Sequence, residues 1–194
     1  MRTQIPAEVR EVLAAHPDQK IIMRPPELPD RVVRSLYVSR FITNVTVVGG
    51  TYVGRAEEHF DILRKFGLKI PQADFYYDKK TERAVVVADF IDGEPMPLTR
   101  DDVPIPRPND PLFDEYEATA QTAFDSYYRW ADRRWPPFRR PYALREPGNR
   151  RQFVLGAPLP SRDPAGEQGR GLYMVDLDPL AEPFCRRALP WRWE

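Results

Sequence analysis

The amino-acid sequence predicts an α+β fold made of short strands and a few amphipathic helices. Short runs rich in β-branched and aromatic residues recur along the chain, and such runs are typical of strands. Other stretches repeat their apolar residues at the spacing of a helix. The chain has 194 residues and 42% of them are apolar, which is enough for one domain with a core or for two small lobes.

The N-terminal part is predicted to contain a short helix and three strands. The helix is expected over residues 6–16, where the apolar residues fall on one side. A short strand is expected over residues 20–23, before two consecutive prolines. The stretches 32–37 and 41–48 are rich in β-branched and aromatic residues, which predicts two further strands.

The next helix is predicted over residues 51–66. Thr51 is a suitable N-cap, and Gly67 stands where a glycine usually ends a helix. Two strands, 74–77 and 84–91, follow this helix and are joined by a polar turn. We expect them to share one antiparallel sheet with the strand that precedes the helix, and the helix to pack on a face of that sheet. The side chains expected to be buried are Phe60, Leu63, Val85 and Val87.

A proline-rich connector divides the chain into two predicted parts. Residues 1–96 are expected to form a sheet lobe that ends in a tight turn at residues 92–95. Residues 97–194 are expected to form a mainly helical lobe, and the two lobes should make one compact unit. Asp110 is predicted to cap a long helix that continues to about Arg134.

Two short apolar strands in the second part carry polar residues at their ends. They are expected over residues 152–155 and 172–177 and should pair as a hairpin. Asn149 stands just before the first strand, and Asp176 stands at the end of the second. An asparagine carbonyl and an aspartate carboxylate side by side could share one hard cation, such as the magnesium of a nucleotide. If a buried arginine engages Asp176 instead, structural roles are expected for both residues.

Composition narrows the classes of protein and of site. The chain contains 29 basic and 29 acidic residues, so a global field that attracts nucleic acids or membranes is not expected. No apolar run approaches the ~20 residues that a membrane helix needs. A single cysteine, Cys185, excludes an internal disulfide and favours an intracellular, cytoplasmic protein. With only two histidines a structural zinc site is not expected, and His59 is expected to be half-buried or solvated in its helix.

The segment from Arg129 to Arg151 is rich in arginine with interleaved aromatic residues. This composition is typical of contacts with phosphate groups or single-stranded nucleic acid. The favoured alternative is an arginine-rich surface that pairs with the carboxylates of the protein itself. If the segment does bind an anion, the candidate residues are Arg139, Arg140 and Arg145.

Three segments follow one another in the order of a known fold. The first is a helix with Glu57 and Glu58 that is followed by a "glycine, apolar, x, apolar, proline" sequence at residues 67–71. The second is the strand and turn of residues 84–95, which looks like a hinge between two lobes. The third is the asparagine–hairpin–aspartate unit. Together they resemble the protein-kinase-like fold, and within it the branch of the aminoglycoside and choline phosphotransferases.

The resemblance implies a metal site and a catalytic position. Asp176 would be the main ligand of a magnesium ion that bridges the phosphates of ATP, and Asn149 would bind a second metal ion. The catalytic aspartate of the family lies five residues before the asparagine, where this chain has Leu144. Glu146 is displaced from that position by two residues and is the one candidate for a catalytic base. The resemblance also implies a shortened C-terminal part.

The resemblance further implies how a nucleotide would be held. Glu58, or Glu57, would form an ion pair with a lysine in the preceding strand. Residues 88–93 would form the hinge, with Asp89 and Ile91 next to the nucleotide. The strand predicted before the helix contains no lysine, and no glycine-rich phosphate loop is visible, so both departures weaken phosphate positioning.

These features favour a degenerate, pseudokinase-type domain that acts by binding a nucleotide or a protein partner. The first alternative is an active small-molecule phosphotransferase that uses magnesium and ATP. The second alternative is a module that binds anions or nucleic acid through the segment from Arg129 to Arg151. No membrane partner is expected.

Overall fold

The computed structural model describes residues 4–16, 21–37, 45–96, 108–134, 152–159 and 169–177. Within these ranges the chain forms three α-helices and two antiparallel sheets, which confirms the predicted α+β class. None of these three helices combines the length and the apolar character that crossing a bilayer requires. The helices are α1 (Ala7–Ala15), α2 (Val45–Lys65) and α3 (Phe113–Arg134). The strands are β1 (Ile21–Met23), β2 (Arg31–Tyr37), β3 (Ala73–Asp78), β4 (Arg83–Asp89), β5 (Ile91–Pro95), β6 (Phe153–Pro158) and β7 (Gly171–Met174).

The larger sheet has four strands in the order β1-β2-β4-β3, and all neighbours are antiparallel. Its register places Arg34 opposite Val86 and Val32 opposite Ala88. Because side chains alternate along a strand, these four lie on one face of the sheet. Val33 lies on the other face. Residues 45–48 of the strand predicted at 41–48 do not belong to this sheet. The other strands predicted in the N-terminal part do contribute to it, although the last of them ends at Asp89.

The two faces of this sheet are covered by different helices. Helix α1 packs on one face, which we call the α1 face, and its side chains Val9 and Leu13 join a cluster there. Helix α2 packs on the opposite face, the α2 face, mainly against β3 and β4. All four side chains predicted to be buried are buried, namely Phe60, Leu63, Val85 and Val87.

Helix α2 begins earlier than the sequence predicts. Residues 45–48 belong to its first turn, so the predicted strand at 41–48 is wrong over these residues, and residues 41–44 lie outside the described ranges. Thr51 lies inside the helix and is not its N-cap. Once a helix has formed, each added residue gains a hydrogen bond. The β-branched residues here have a lower helix propensity, but this preference is weak and the rest of the fold overrides it.

The end of α2 agrees with the sequence prediction. Gly67 has φ of 97°, a conformation that favours glycine. Its N–H donates to the carbonyl of Arg64 over 2.9 Å, and the N–H of Leu68 donates to the carbonyl of Leu63 over 3.1 Å. This pair of hydrogen bonds is a Schellman motif, which uses carbonyl groups that the helix itself leaves without partners.

The chain passes from the first sheet to the second at a single residue. Phe90 alone separates β4, which ends at Asp89, from β5. The N–H of Phe90 donates to the carbonyl of Asp30 over 2.8 Å, and its carbonyl accepts from the N–H of Leu159 over 3.2 Å. The prediction that one strand continues to Ile91 and then makes a tight turn is therefore wrong, since β5 extends along β6.

The second sheet has three strands in the order β5-β6-β7. The predicted pairing of the two apolar strands is confirmed, because β6 and β7 are antiparallel neighbours. Gly93 and Gly156 lie opposite each other where β5 meets β6. A Cβ atom on Gly93 would lie 2.3 Å from the carbonyl oxygen of Leu155, so only glycine allows this approach.

Helix α3 closes the core between the two sheets. As predicted, the carboxylate of Asp110 accepts a hydrogen bond from the N–H of Leu112, over 2.9 Å, just before the helix begins. The hydroxyl of Tyr127 on α3 lies 2.7 Å from Nδ1 of His59 on α2. His59 is only 1% exposed, so the expectation of a half-buried or solvated histidine is wrong. The reason is the contact with α3, which lies far away along the chain.

Candidate functional site

A cavity of about 280 Å³ lies between the two sheets. One wall is the α2 face of the larger sheet, where Val32 and Ala88 contribute apolar surface. The opposite wall comes from the second sheet and includes Val154 of β6 and Leu177 beyond β7. The segment around Phe90 that joins the sheets closes one side. The cavity is therefore a mostly apolar cleft that both sheets build.

The cavity exists because α2 covers only part of its face. The helix packs mainly on β3 and β4, and Phe60 stacks on Phe75 of β3 with ring centroids 5.9 Å apart. The part of the face over β1 and β2 carries Ile22 and Val32, which line the cavity. Ile22 is 60% exposed, so this end of the cavity opens towards solvent.

An ion pair joins the two sheets across the cavity. Arg34 of β2 pairs with the carboxylate of Asp176, which follows β7, and both residues line the cavity. The arginine side chain is 10% exposed and the aspartate side chain 32%. A largely buried guanidinium needs a partner, and a carboxylate that it can bind through parallel N–H groups is the strongest one available in proteins.

A second ion pair lies at the border of the cavity. Arg31 binds the carboxylate of Asp89 over 2.6 Å, and the two residues stand directly opposite each other on β2 and β4. The N–H of Asp89 also donates to the carbonyl of Gln72 over 2.9 Å. Next to them the guanidinium of Arg24 lies 4.0 Å from the ring centre of Phe90. These contacts fix the segment that connects the two sheets.

The structure brings together three of the predicted site residues. Asp89, Ile91 and Asp176 all line the cavity, although Asp176 lies far from the other two along the chain. Glu58 is not brought to the cavity: it is exposed on α2. Glu57 is half-buried. Burial lowers the pKa of Arg64, and the negative charge of Glu57 offsets part of this decrease.

Several predicted site residues lie outside the described ranges. They are the catalytic candidate Glu146, the metal-ligand candidate Asn149, and the anion-binding candidates Arg139, Arg140 and Arg145. The other metal-ligand candidate, Asp176, is engaged by Arg34. In the part of the chain that the structure describes, no group of three or more histidine, cysteine, aspartate or glutamate side chains could hold a metal ion.

Arg34 is the site residue that sequence reasoning missed. The basic residue is expected in the strand predicted at 41–48, but the last described strand before α2 is β2. A signal was present, because Arg34 follows Val32 and Val33 in the interior of β2. A charged residue in the middle of a buried strand is costly unless it is paired. Such a residue therefore indicates a partner in the fold.

A second, more polar groove lies on the exposed side of α3. It has a volume of about 450 Å³ and is lined by Ser126, Arg129, Trp130 and Arg133. Both arginines are exposed and lie one helical turn apart. Nε of Arg129 donates to the backbone carbonyl of Asp125 over 3.2 Å. Arg129, Trp130 and Arg133 belong to the first part of the arginine-rich segment.

No protein-family model matches this chain, and neither a curated protein nor a solved structure matches it.

Proposed function

We propose that this protein is a kinase-like binding domain that holds a nucleotide in the cavity between its two sheets and does not transfer phosphate. The observation that carries the proposal is the cavity itself, with one buried guanidinium, Arg34, in a largely apolar cleft. Apolar walls suit the faces of a nucleobase, and arginine suits a phosphate group.

The order of elements supports the kinase-like part of the proposal. Four strands build one sheet in the order β1-β2-β4-β3, and helix α2 stands between β2 and β3 along the chain. A segment of one residue then leads to the next sheet. In this proposal Arg34, on the last described strand before the helix, takes the place of the family's lysine. Asp176, which follows the last described strand, takes the place of the family's metal-binding aspartate.

We expect that the protein does not transfer phosphate, because of the residue at the position of the catalytic base. A leucine at position 144 has no lone pair and cannot accept or orient the proton of an attacking hydroxyl group. General base catalysis contributes typically 10²–10⁴-fold to the rate. Glu146 is the residue that could replace this function. A phosphotransfer assay with the wild type and with Glu146→Gln tests it, since turnover that the substitution abolishes would establish an enzyme.

Thermal unfolding with nucleotides tests the binding function. A ligand that binds only the folded state raises the melting temperature, and the stabilisation grows with the logarithm of the ratio of ligand concentration to Kd. We expect AMP, ADP or ATP, with or without magnesium, to raise the Tm of the wild type. Val154→Phe, which fills the cavity, should lose this shift. Ala157→Phe lies on the same strand but does not line the cavity, and it should keep the shift. If no nucleotide shifts the wild type, the proposal is wrong.

The groove on α3 favours a second candidate function, the binding of an anionic partner such as single-stranded nucleic acid. Two exposed arginines and a tryptophan suit phosphate contact and base stacking. Replacing Arg129 and Arg133 by alanine should weaken binding and flatten its salt dependence. Replacing Lys79 and Lys80, an exposed pair on the β3–β4 turn, removes the same charge elsewhere and should change little.

A further inference from the structure

We propose that Asp176 is an internal competitor for Arg34, which a ligand anion must displace before it can bind in the cavity. This inference concerns the regulation of the proposed binding site and rests on that function. In this arrangement the carboxylate of Asp176 occupies the place of a phosphate or carboxylate group of the ligand. In the unliganded protein, Asp176 therefore already engages Arg34, the one basic side chain among the described lining residues.

The first observation is the position of Arg34. It is the only basic side chain among the described residues that line the cavity. It lies on the central part of β2, opposite Val86, and is 8% exposed as a residue. An anionic ligand that enters the cavity finds no other described cation on its walls. Its charged group and Asp176 therefore need the same guanidinium.

The second observation is the unequal burial of the two partners. The side chain of Arg34 is 10% exposed, whereas that of Asp176 is 32% exposed. A carboxylate near the surface is solvated at little cost when it leaves its partner, whereas a buried guanidinium is not. The arginine is thus the fixed element and the aspartate is the one that can be displaced. The backbone around Asp176 stays held, since the N–H of Val175 donates to the carbonyl of Gln152 over 2.7 Å.

The third observation is the size of the cavity. Its volume of about 280 Å³ is just below the range of roughly 300–1,000 Å³ that is typical of ligand pockets. The ion pair spans the cavity from one sheet to the other, so moving the aspartate side chain outwards enlarges the space beside Arg34. Displacement of Asp176 therefore provides both the charge and the room that an anionic ligand needs.

This role differs from metal binding in the sign of a measurable effect. If Asp176 competes with the ligand, removing its charge strengthens the binding of an anion in the absence of metal. If Asp176 binds a magnesium ion that carries the ligand, removing its charge weakens binding. Asp176→Asn changes the charge with almost no change in shape, so it separates the two roles.

The matched control is an ion-paired carboxylate away from the cavity. Asp61 of α2 pairs with Arg64 over 2.6 Å, and neither residue lines the cavity. Asp61→Asn removes the same charge from the protein without releasing Arg34. The double variant Arg34→Met/Asp176→Asn removes the guanidinium for which the anions compete.

The experiment is calorimetric titration with two probes, AMP and inorganic phosphate, in buffer that contains EDTA. We expect Asp176→Asn to bind both probes roughly 5- to 150-fold more tightly than the wild type, which is the typical range of coupling between two binding events on one protein. Asp61→Asn should stay within about twofold of the wild type. The double variant should lose the gain. Far-ultraviolet circular dichroism and the melting temperature establish that each variant is folded.

Each outcome decides a different question. Gains for both probes in Asp176→Asn support the competitor and the nucleotide site together. A gain for phosphate without any AMP binding supports the competitor and contradicts the nucleotide function. Equal affinities in the wild type and Asp176→Asn overturn the competitor role, as does an equal gain in Asp61→Asn. The titrations are repeated with magnesium in place of EDTA, and weaker binding of Asp176→Asn under that condition alone identifies Asp176 as a metal ligand and also overturns the competitor role.

Discussion

The two faces of the four-stranded sheet are built in different ways. On the α1 face the described side chains form a closed apolar cluster, in which Val9 and Leu13 of α1 meet Val33 and Val85 of the sheet. On the α2 face a larger core lies over β3 and β4, but β1, β2 and part of β4 line the cavity. A charged residue, Arg34, projects from the open face.

The difference shows which part of the sheet serves stability and which part is available for binding. A face whose side chains are closely packed leaves no space for a ligand, and those side chains contribute to stability through packing. A face that a helix covers in part leaves a concave apolar surface, which is typical of ligand sites. The burial of Arg34 on the open face would be difficult to explain by stability alone, because hydrophobic residues of similar volume are often as stabilising.

The largest effect on stability is expected in the part of the α2 face that packs against helix α2. Phe60 is fully buried and stacks on Phe75. Phe60→Ala should lower the free energy of unfolding by about 3–5 kcal/mol, because it removes apolar contacts and leaves a cavity. Denaturant unfolding measures the loss. A loss below about 1.5 kcal/mol would contradict the view that this part is the main core.

A smaller effect is expected on the α1 face. Arg83 is 2% exposed, and its guanidinium donates to the carbonyls of Leu13 over 3.3 Å and His16 over 2.8 Å at the end of α1. Arg83→Met should lower the free energy of unfolding by about 1.5–3 kcal/mol, since hydrogen bonds from charged groups are lost. Hydrogen exchange should then speed up in α1 more than in α2. Equal changes in both helices would show that Arg83 does not specifically hold α1.

A still smaller effect on stability is expected in the part of the α2 face that lines the cavity. Arg34→Met leaves Asp176, but that side chain is 32% exposed and can be solvated. We therefore expect a loss of about 1 kcal/mol in the free energy of unfolding, well below the ~3–5 kcal/mol that unpairing a fully buried ion pair costs. Nucleotide-induced thermal shifts should disappear in the same variant. A large loss of stability with the shifts retained would assign Arg34 to the structural part of the sheet.

The smallest effect concerns alkaline pH. Burial raises the pKa of Tyr173 on β7 to about 12, and burial also raises the pKa of Tyr77 on the α2 face. A phenol whose pKa is raised on folding stabilises the protein fully below its ordinary pKa of about 10, and this contribution is lost as the pH rises towards 12. Unfolding measured at about pH 9, 10 and 11 should show a shallower decline for Tyr173→Phe than for the wild type. Parallel declines would exclude this contribution.

Local features of the fold were predictable from the sequence. The ends of helices are determined by neighbouring residues, so Gly67 and Asp110 were recognised from their positions alone. The burial of Phe60 and Val85 followed from apolar spacing, since periodicity reflects which side of an element meets the core. The pairing of β6 with β7 followed from two adjacent apolar runs.

Tertiary structure decided the features that depend on distant residues. The residues from Val45 onwards could form a strand or a helix, and in the fold they form the first turn of α2, because local propensity is a weak preference that tertiary packing overrides. Phe90 became the junction of two sheets because its backbone bonds to Asp30 and Leu159, which lie far apart along the chain. The pair of Arg34 and Asp176 likewise joins residues from two sheets. Sequence patterns report on local spacing, whereas such contacts arise only when separate elements pack together.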